Sequence, residues 1–288
     1  MPLQGHRDCI WDVKAHPQRP LVASASADGT VRLWTFASGK KPTTAVTLPA
    51  LGGGVAPTSV TFVPHRPELV VVAYNNASLY AYDVESGDVV LTFDTGDHQG
   101  TPPQPPRVQW SGAAEVALTR AHDKARRLVP IVTLPEANPA AQINRVAAHP
   151  KEPVLVTAHE DKRLQFYDLS TGAGASRCLN VDTTAMTYVC SSSFADVVSK
   201  PTGKCNHTMV AHQDAVACVA IHPNGQTAVT AGHDSSLRAW DMRTYACVQE
   251  TATHRPKYQE AVMGLAIHSS GTLLATGGGD SIVRLYTQ

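Results

Sequence analysis

Histidine, hydroxyl and aspartate side chains, the components of a hydrolytic triad, recur in this sequence at fixed spacing. An aspartate follows a small hydroxyl by four residues and precedes an aromatic by six. Four sets share this spacing: Ser24, Asp28 and Trp34; Thr157, Asp161 and Tyr167; Thr230, Asp234 and Trp240; Thr276, Asp280 and Tyr286. Three histidines stand upstream of these aspartates, His6 and His212 by 22 residues and His254 by 26.

Recurrence argues against catalysis, because an active site occurs once in a chain and these sets repeat along it. The sequence also has no Gly-x-Ser-x-Gly nucleophile turn. The alternative chemistry is structural. A carboxylate accepts from one histidine nitrogen, a hydroxyl donates to the other, and that hydroxyl accepts from an indole N–H. We therefore predict a buried network in each repeat, and a protein that is not an enzyme.

Short β-rich segments must position these side chains. Each set sits in an apolar run, a tight polar turn and a second alternating run that ends in an aromatic, which predicts a hairpin. Five such hairpins are expected, near 21–34, 70–83, 154–168, 227–241 and 273–287. The copy at 70–83 is weaker, since Asn76 and Tyr82 are kept but Val72 replaces the hydroxyl. Repeats of about 40–45 residues with a turn aspartate and a closing aromatic predict an all-β WD-repeat propeller.

Composition limits the classes of function. The chain has 288 residues, 43% hydrophobic and 17% charged, with 24 basic and 24 acidic side chains. Zero net charge disfavours nucleic acid or anionic membrane as partner, and no apolar run has the length of a membrane span. Six cysteines without a Cys-x-x-Cys pair indicate reduced cytoplasmic thiols. No cofactor and no metal is expected, because a propeller distributes its histidines over separate blades.

Longer stretches resemble the striatin family. They are QINRVAAHP at 142–150, TAHEDKRLQFYD at 157–168, MVAHQDAVACVAIHPNG at 209–225 and CVQETATHRPKYQEAV at 247–262. The resemblance covers roughly residues 1–95, 142–172 and 204–288. It corresponds to the last five blades of the family's seven-bladed propeller. The coiled coil, the calmodulin-binding stretch and the first two blades of the family have no counterpart in this sequence.

The resemblance implies a non-catalytic scaffold. Striatins are regulatory subunits of protein phosphatase 2A that assemble the phosphatase, germinal-centre kinases and a Mob-family protein into STRIPAK signalling complexes in the cytoplasm. Calmodulin binding would come only through the missing N-terminal region. The loop RPKYQEA resembles the family's longer entry to its final blade, and Tyr258 in it is a candidate partner contact.

We expect one domain, 1–288, with insertions at about 96–141 and 173–203. The first is either an insertion within a blade or a degenerate extra blade. The second is either a surface loop or a gene-model artefact; excising it leaves a repeat spacing of 42 residues. Because four residues precede Gly5 and the chain ends on a third strand, we expect the last blade to lack its outer strand and the propeller to be an incomplete arc.

A second function class stays open. Trp240-Asp241-Met242-Arg243 matches the short WDxR box of substrate receptors of cullin-type ubiquitin ligases. Arg243 would then extend from the end of a blade strand into an acidic pocket of the ligase.

Overall fold

The computed structural model describes a chain built from strands. It describes residues 1–36, 42–63, 66–76, 78–93, 212–214, 216–244, 246–257 and 260–287, together with four strands between 143 and 180. The expected insertion at 96–141 lies outside the described residues. Among those residues, no helix is long and apolar enough to cross a membrane.

Twenty strands are described. They are β1 (Pro2–Leu3), β2 (Ile10–Ala15), β3 (Leu21–Ser26), β4 (Val31–Thr35), β5 (Thr43–Leu48), β6 (Pro57–Val63), β7 (Arg66–Tyr74), β8 (Leu79–Asp83), β9 (Val89–Phe93), β10 (Ile143–Ala148), β11 (Val154–His159), β12 (Arg163–Asp168), β13 (Arg177–Asn180), β14 (Val216–Ile221), β15 (Thr227–Gly232), β16 (Ser236–Asp241), β17 (Cys247–Ala252), β18 (Val262–Ile267), β19 (Leu273–Gly278) and β20 (Val283–Thr287).

The strands form five antiparallel four-stranded sheets, which we call blades 1 to 5. Blade 1 is β2–β5, blade 2 is β6–β9, blade 3 is β10–β13, blade 4 is β14–β17, and blade 5 is β18–β20 with β1. In every blade the second and third strands pair along one of the predicted hairpin segments, and in blades 1 and 2 the pairing extends one residue beyond it, to Thr35 and Leu69. The predicted all-β propeller class is confirmed.

The first strands of consecutive blades lie side by side. β14 lies beside β18, β18 beside β2, and β2 beside β6, so blades 4, 5, 1 and 2 follow in that order. The register of the first strand shifts between its first and third residues in every blade. In blade 5 that third residue is Gly264, and a Cβ there would lie 2.8 Å from the Val13 amide nitrogen. Glycine lets the backbones of blades 5 and 1 approach closely.

Apolar side chains fill the seam between blades 1 and 2. Leu33 and Leu48 of blade 1 are fully buried and pack with Val70, Val72 and Tyr82 of blade 2. The seam between blades 5 and 1 is filled in the same way, with Trp34 and Val22 packed against Leu273 and Leu285. Successive side chains of a strand point to opposite faces of the sheet, and each face packs against a neighbouring blade. Both faces of these sheets are therefore apolar.

The last blade has an outer strand, contrary to our expectation. Pro2 pairs with Arg284 and Leu3 with Val283, so the start of the chain completes blade 5 as β1. Leu3 is 6% exposed and packs with Val283 and Leu285. The expectation failed because two residues are too few for an alternation pattern, although one buried leucine suffices to anchor them. The first and last repeats therefore meet within one sheet.

Replacing Leu3 with alanine is expected to lower the free energy of unfolding by about 2 kcal/mol, since it removes the apolar anchor of β1. This loss is small for a buried leucine, because a two-residue edge strand can move into the cavity that the substitution leaves. Urea unfolding followed by tryptophan fluorescence measures the change. The matched control, Val90→Ala, alters a side chain that is 46% exposed and should change stability little. Equal losses in the two variants would contradict the role given to β1.

The outer strand of blade 3 comes from within the segment that we expected to be an insertion. β13, Arg177–Asn180, pairs with β12 through Leu164 and Leu179. Residues 173–176 and 181–203 of that segment lie outside the described residues. Residues 177–180 form a regular blade strand.

The seam between blades 4 and 5 contains a cavity of about 260 Å³. Its walls include Ala239, Gln249 and Thr251 of blade 4 and Leu274 and Tyr286 of blade 5. The strand pairings place these blade 4 residues where blade 1 has larger apolar ones. Ala239 and Gln249 pair as Leu33 and Val46 do, and Leu237 and Thr251 pair as Val31 and Leu48 do. The cavity follows from this loss of apolar volume.

Copying the blade 1 pair into blade 4, as Ala239→Leu with Gln249→Val, is expected to raise the free energy of unfolding by about 0.5–2 kcal/mol. The added methyl groups fill existing space and remove apolar surface from water. Thermal unfolding by differential scanning calorimetry measures the gain. Gln226→Val is the control, since the Gln226 side chain is exposed outside this cavity and should give no gain. A destabilised double variant would show that the cavity cannot accept the added volume.

Candidate functional site

The structure brings the first set of sequence-predicted residues together in blade 1. His6 lies in the segment that enters the blade, and its Nδ1–H donates to Asp28 Oδ2 at 3.0 Å. The Ser24 hydroxyl on β3 lies 2.8 Å from His6 Nε2 and accepts from the Trp34 indole N–H on β4, also at 2.8 Å. These bonds tie the entry segment, the turn after β3 and the middle strands of the blade together.

Blades 4 and 5 repeat the arrangement. In blade 4, His212 Nδ1 lies 2.9 Å from Asp234 Oδ1 and Nε2 lies 2.7 Å from the Thr230 hydroxyl. The Trp240 indole donates to Thr230 at 2.9 Å. In blade 5, His254 Nδ1 lies 2.7 Å from Asp280 Oδ1, and Nε2 lies 2.8 Å from the Thr276 hydroxyl. We call these three sets the His–Asp networks.

The networks have no accessible nucleophile. Ser24 and Thr276 are fully buried and Thr230 is 5% exposed. In blade 1 the hydroxyl that a hydrolase would use already serves both the histidine and the indole. Burial is the largest influence on His6 and lowers its pKa, so its ring is neutral and Nδ1 carries the proton that the carboxylate needs. The arrangement can hold a blade together, because each side chain bonds to another member of its network.

Two of the network carboxyls, Asp28 and Asp280, have pKa values below their ordinary value of 3.8. Burial by itself would raise the pKa of Asp28, but hydrogen bonds from Thr30, from the Arg7 amide and from His6 hold it at about 2. For Asp280, burial is likewise opposed by His254, Arg284 and the Arg255 amide, and the pKa is about 2. Each carboxylate is therefore stabilised as an anion by its network.

Blade 2 replaces the network with a pair of tyrosines. The hydroxyls of Tyr74 and Tyr82 lie 2.7 Å apart, and both rings are essentially buried. Burial is the largest cause that raises the pKa of each phenol, so both are neutral. Sequence reasoning identified Tyr82 and the missing hydroxyl at Val72 but not Tyr74. The signal was a tyrosine two residues after the position where other repeats carry the hydroxyl.

The remaining residues predicted from the sequence lie outside the three His–Asp networks or outside the described residues. Tyr286 bonds to the Thr253 hydroxyl at 2.6 Å rather than to Thr276, because a phenol reaches farther than an indole N–H. Thr157 and Tyr167 belong to strands of blade 3, and their side chains, like Asp161, lie outside the described residues. Arg243 is exposed in the turn after β16, where its amide donates to Asp241 at 2.8 Å.

Tyr258 also lies outside the described residues, but its neighbours Lys257 and Glu260 pair with each other through backbone hydrogen bonds. Lys257 also donates to the Asp8 carboxylate at 2.6 Å, which ties the segment before blade 5 to the entry segment of blade 1. Exposed Arg7 and Arg255, each directly after a network histidine, lie on this same side of the blades.

A second set of histidines bonds between blades, and these bonds were not predicted from the sequence. His16 Nε2 donates to the Pro67 carbonyl at 2.8 Å, from blade 1 to blade 2. His222 Nε2 donates to the Gly271 carbonyl at 2.8 Å, from blade 4 to blade 5. His268 Nε2 donates to the Arg19 carbonyl at 3.0 Å, from blade 5 to blade 1. The only sequence signal was the recurring position of histidine in the turn between first and second strands.

The histidines of the described residues do not cluster with other metal-ligating side chains. No group of three or more histidine, cysteine, aspartate or glutamate side chains there could hold a metal ion. In each of the three network histidines, both ring nitrogens form hydrogen bonds to protein side chains.

Four-stranded blades repeat along the chain, and in blades 1, 4 and 5 a network joins a turn aspartate to a histidine. This combination defines a WD-repeat β-propeller protein. The WD domain, G-beta repeat family matches residues 1–35, 203–241 and 246–287. The crystal structure of the WD40 β-propeller domain of Doa1 superposes with a TM-score of 0.73 over 100% of this chain and 95% of that one, at 20% identity. This likeness supports the fold alone.

The chain is similar in sequence to striatins. Striatin-4 of Mus musculus is 31% identical over 89% of this chain, and striatin of Homo sapiens is 28% identical over 89%. Striatin-3 of Homo sapiens is 29% identical over 88%. These similarities support a striatin-family WD-repeat region over most of this chain. It spans about a quarter of the length of these relatives, 24%, 24% and 23% respectively.

Proposed function

We propose that this protein is a non-catalytic scaffold that resembles striatin in assembling phosphatase 2A subunits, germinal-centre kinases and a Mob-family protein in the cytoplasm. The observation that supports it most is the structural use of every described His–hydroxyl–Asp set. These groups are buried, bonded on all sides and repeated in blades 1, 4 and 5. Its similarity to striatin over most of the chain supplies the class of partner.

The blades offer two distinct surfaces to partners. Turns after second strands and the entry segments lie at one end of the blades; we call this the network face, and Arg255 is exposed on it. Turns after first and third strands lie at the opposite end, where Arg243 is exposed. Rigid strands hold both sets of turns, which is how propellers present variable residues to other proteins. Holding a kinase and a phosphatase together raises their effective concentration without new chemistry.

Affinity purification with quantitative mass spectrometry tests the proposal on the tagged full chain. Wild type should enrich phosphatase 2A subunits, germinal-centre kinases or a Mob-family protein over a tag-only control. Arg255→Glu on the network face and Arg243→Glu on the opposite face are matched charge reversals on exposed side chains. Loss of one set of partners in only one variant assigns their face. Wild-type protein that enriches none of these partners would contradict the proposal.

A second candidate, a substrate receptor of a cullin-type ubiquitin ligase, is favoured by one observation. Arg243 is exposed at the end of β16, and its amide is fixed by the Asp241 carboxylate in a tight turn. Under this alternative, Arg243→Glu should remove co-purifying cullin ligase components at least 10-fold, because the arginine would pair with an acidic pocket. Arg255→Glu should leave them unchanged. Absence of ligase components from the wild-type sample excludes this function.

A further inference from the structure

The turn between β2 and β3 is bound from both neighbouring blades. From blade 5, His268 Nε2 donates to the Arg19 carbonyl at 3.0 Å, and the Ser269 hydroxyl donates to the Pro17 carbonyl at 2.6 Å. Toward blade 2, His16 Nε2 donates to the Pro67 carbonyl at 2.8 Å. We call His16, Arg19, His268 and Pro67 the clasp. It spans the junction where the first and last repeats of the chain meet.

Both nitrogens of the His16 ring are committed. While Nε2 donates to blade 2, Nδ1 accepts from the Gln18 amide at 3.0 Å and the Arg19 amide at 2.8 Å. The ring is fully buried, and its edge packs against Phe62 with centroids 4.8 Å apart. An imidazole can donate from one nitrogen and accept at the other only when it is neutral. Protonation would place an N–H against two amide N–H groups.

His268 repeats this pattern one blade earlier. Its Nε2 donates to Arg19, and its Nδ1 accepts from the Ser270 amide at 3.2 Å and lies 2.8 Å from the Ser270 hydroxyl. The ring is 7% exposed and packs edge-on against Phe36. The Nδ1 of His268 thus serves its own turn, between β18 and β19, while its Nε2 binds the β2–β3 turn.

The charges around the clasp disfavour protonation. Burial is the largest cause that lowers the pKa of His16, and the Arg19 and His268 charges lower it further against the Pro67 hydrogen bond. The carboxylates of blade 2 on this side are engaged elsewhere. Glu85 pairs with the Arg19 guanidinium at 2.8 Å, Glu68 pairs with Arg66 at 3.0 Å, and Asp83 accepts from backbone amides of its own turn.

We propose that the clasp is an acid-released latch, which fixes the β2–β3 turn between blades 5 and 2 at neutral pH and loosens that turn when His16 is protonated. A histidine whose pKa is lower in the folded state favours folding above its ordinary value near 6.5 and loses that stabilisation as the pH falls below it. Release therefore belongs to mildly acidic conditions, well above the range in which the network carboxylates titrate. It would loosen the junction of the first and last repeats.

Amide hydrogen exchange of the full chain by NMR reads the latch directly, since the Gln18 and Arg19 amides donate to His16 Nδ1. Between pH 7.5 and 5.5, after correction for intrinsic rates, their protection should fall about 10-fold. Amides of the β7–β8 hairpin, which is closed by the Tyr74–Tyr82 pair, should keep their protection. Unchanged protection of both turn amides, or an equal loss in the hairpin, would overturn the proposal.

The double variant His16→Asn with His268→Asn separates titration from structure. An asparagine oxygen can accept the turn amides as Nδ1 does, and Asn224 already does so for the amides of Gln226 and Thr227 in blade 4. Protection in this variant should not depend on pH, and the same acid loss as in wild type would refute the latch. If the variant does not fold, the wild-type ring titrations decide. The NMR midpoint of His16 must then lie below its ordinary value near 6.5, and a midpoint at or above that value would refute the latch equally.

Discussion

Replacing Trp240 with alanine is expected to lower the free energy of unfolding by about 3–5 kcal/mol. The Trp240 ring is 6% exposed and packs against Ala228 and Met242. Its indole donates to the Thr230 hydroxyl, which also serves His212, so the substitution removes both apolar volume and one member of the network. Chemical denaturation followed by circular dichroism measures the loss.

Two further variants resolve the causes of that loss. Trp240→Phe keeps most of the ring volume and removes the N–H donor, so it should cost about 1–2 kcal/mol, the value of a buried hydrogen bond and a small cavity. Trp11→Ala is the control for size, since Trp11 on β2 is only partly buried and should cost less than Trp240→Ala. An unchanged unfolding curve for Trp240→Ala would contradict the assignment of the network in blade 4.

The elements and networks that could be predicted from sequence are those with local, repeated spacing. Ser24, Asp28 and Trp34 lie within 11 consecutive residues of one hairpin, so their types fix both the turn and the bond partners. His6 was within reach for a different reason: it recurs as His212, at the same distance from its aspartate. The repeated spacing shows that the histidine and the aspartate belong together, which a single copy could not show.

Features that depend on distant backbone could not be predicted. The His16 ring bonds to the Pro67 carbonyl, 51 residues away, and a carbonyl carries no mark in the sequence. Strand β1 has two residues, too few for a period. Tyr74 replaces the network through contact with Tyr82, yet it occupies a different position from the hydroxyl it substitutes for. In each case the acceptor or partner is set by how blades pack.

The same distinction applies to the cavity between blades 4 and 5. Ala239, Gln249 and Thr251 read as ordinary strand residues, and only the pairing shows that they face Leu274 and Tyr286 across a seam. Blade 1 fills the equivalent positions with Leu33, Val46 and Leu48. Repeats thus diverge in side-chain volume while the hairpin spacing stays constant. The fold tolerates that divergence because each blade depends mainly on its immediate neighbours.

The protein is expected to lose stability in acid as the carboxylates of Asp28 and Asp280 are protonated. Asp28 and Asp280 have pKa values of about 2 in the folded protein, below the ordinary value of 3.8. A carboxyl whose pKa is lower in the folded state contributes stability that is complete above its unfolded value and disappears as the pH falls through its folded value. The loss should therefore occur between about pH 4 and 2 and amount to about 2 kcal/mol for each carboxylate.

Asp28→Asn is the decisive variant for this acid transition. The amide oxygen can still accept from the Thr30 and Arg7 amides, while the charge that titrates is gone. We expect lower stability than wild type at pH 7 and a shallower fall between about pH 4 and 2, because the variant has one fewer low-pKa carboxyl to protonate. Asp88→Asn, a change to an exposed aspartate outside the networks, should keep the wild-type profile. If Asp28→Asn and wild type lose stability in parallel across that range, the Asp28 carboxylate does not stabilise blade 1 as an anion.

The Asp280 carboxylate also pairs with Arg284. Asp280→Asn should therefore lower stability at neutral pH more than Asp28→Asn does, because it leaves an arginine without its partner.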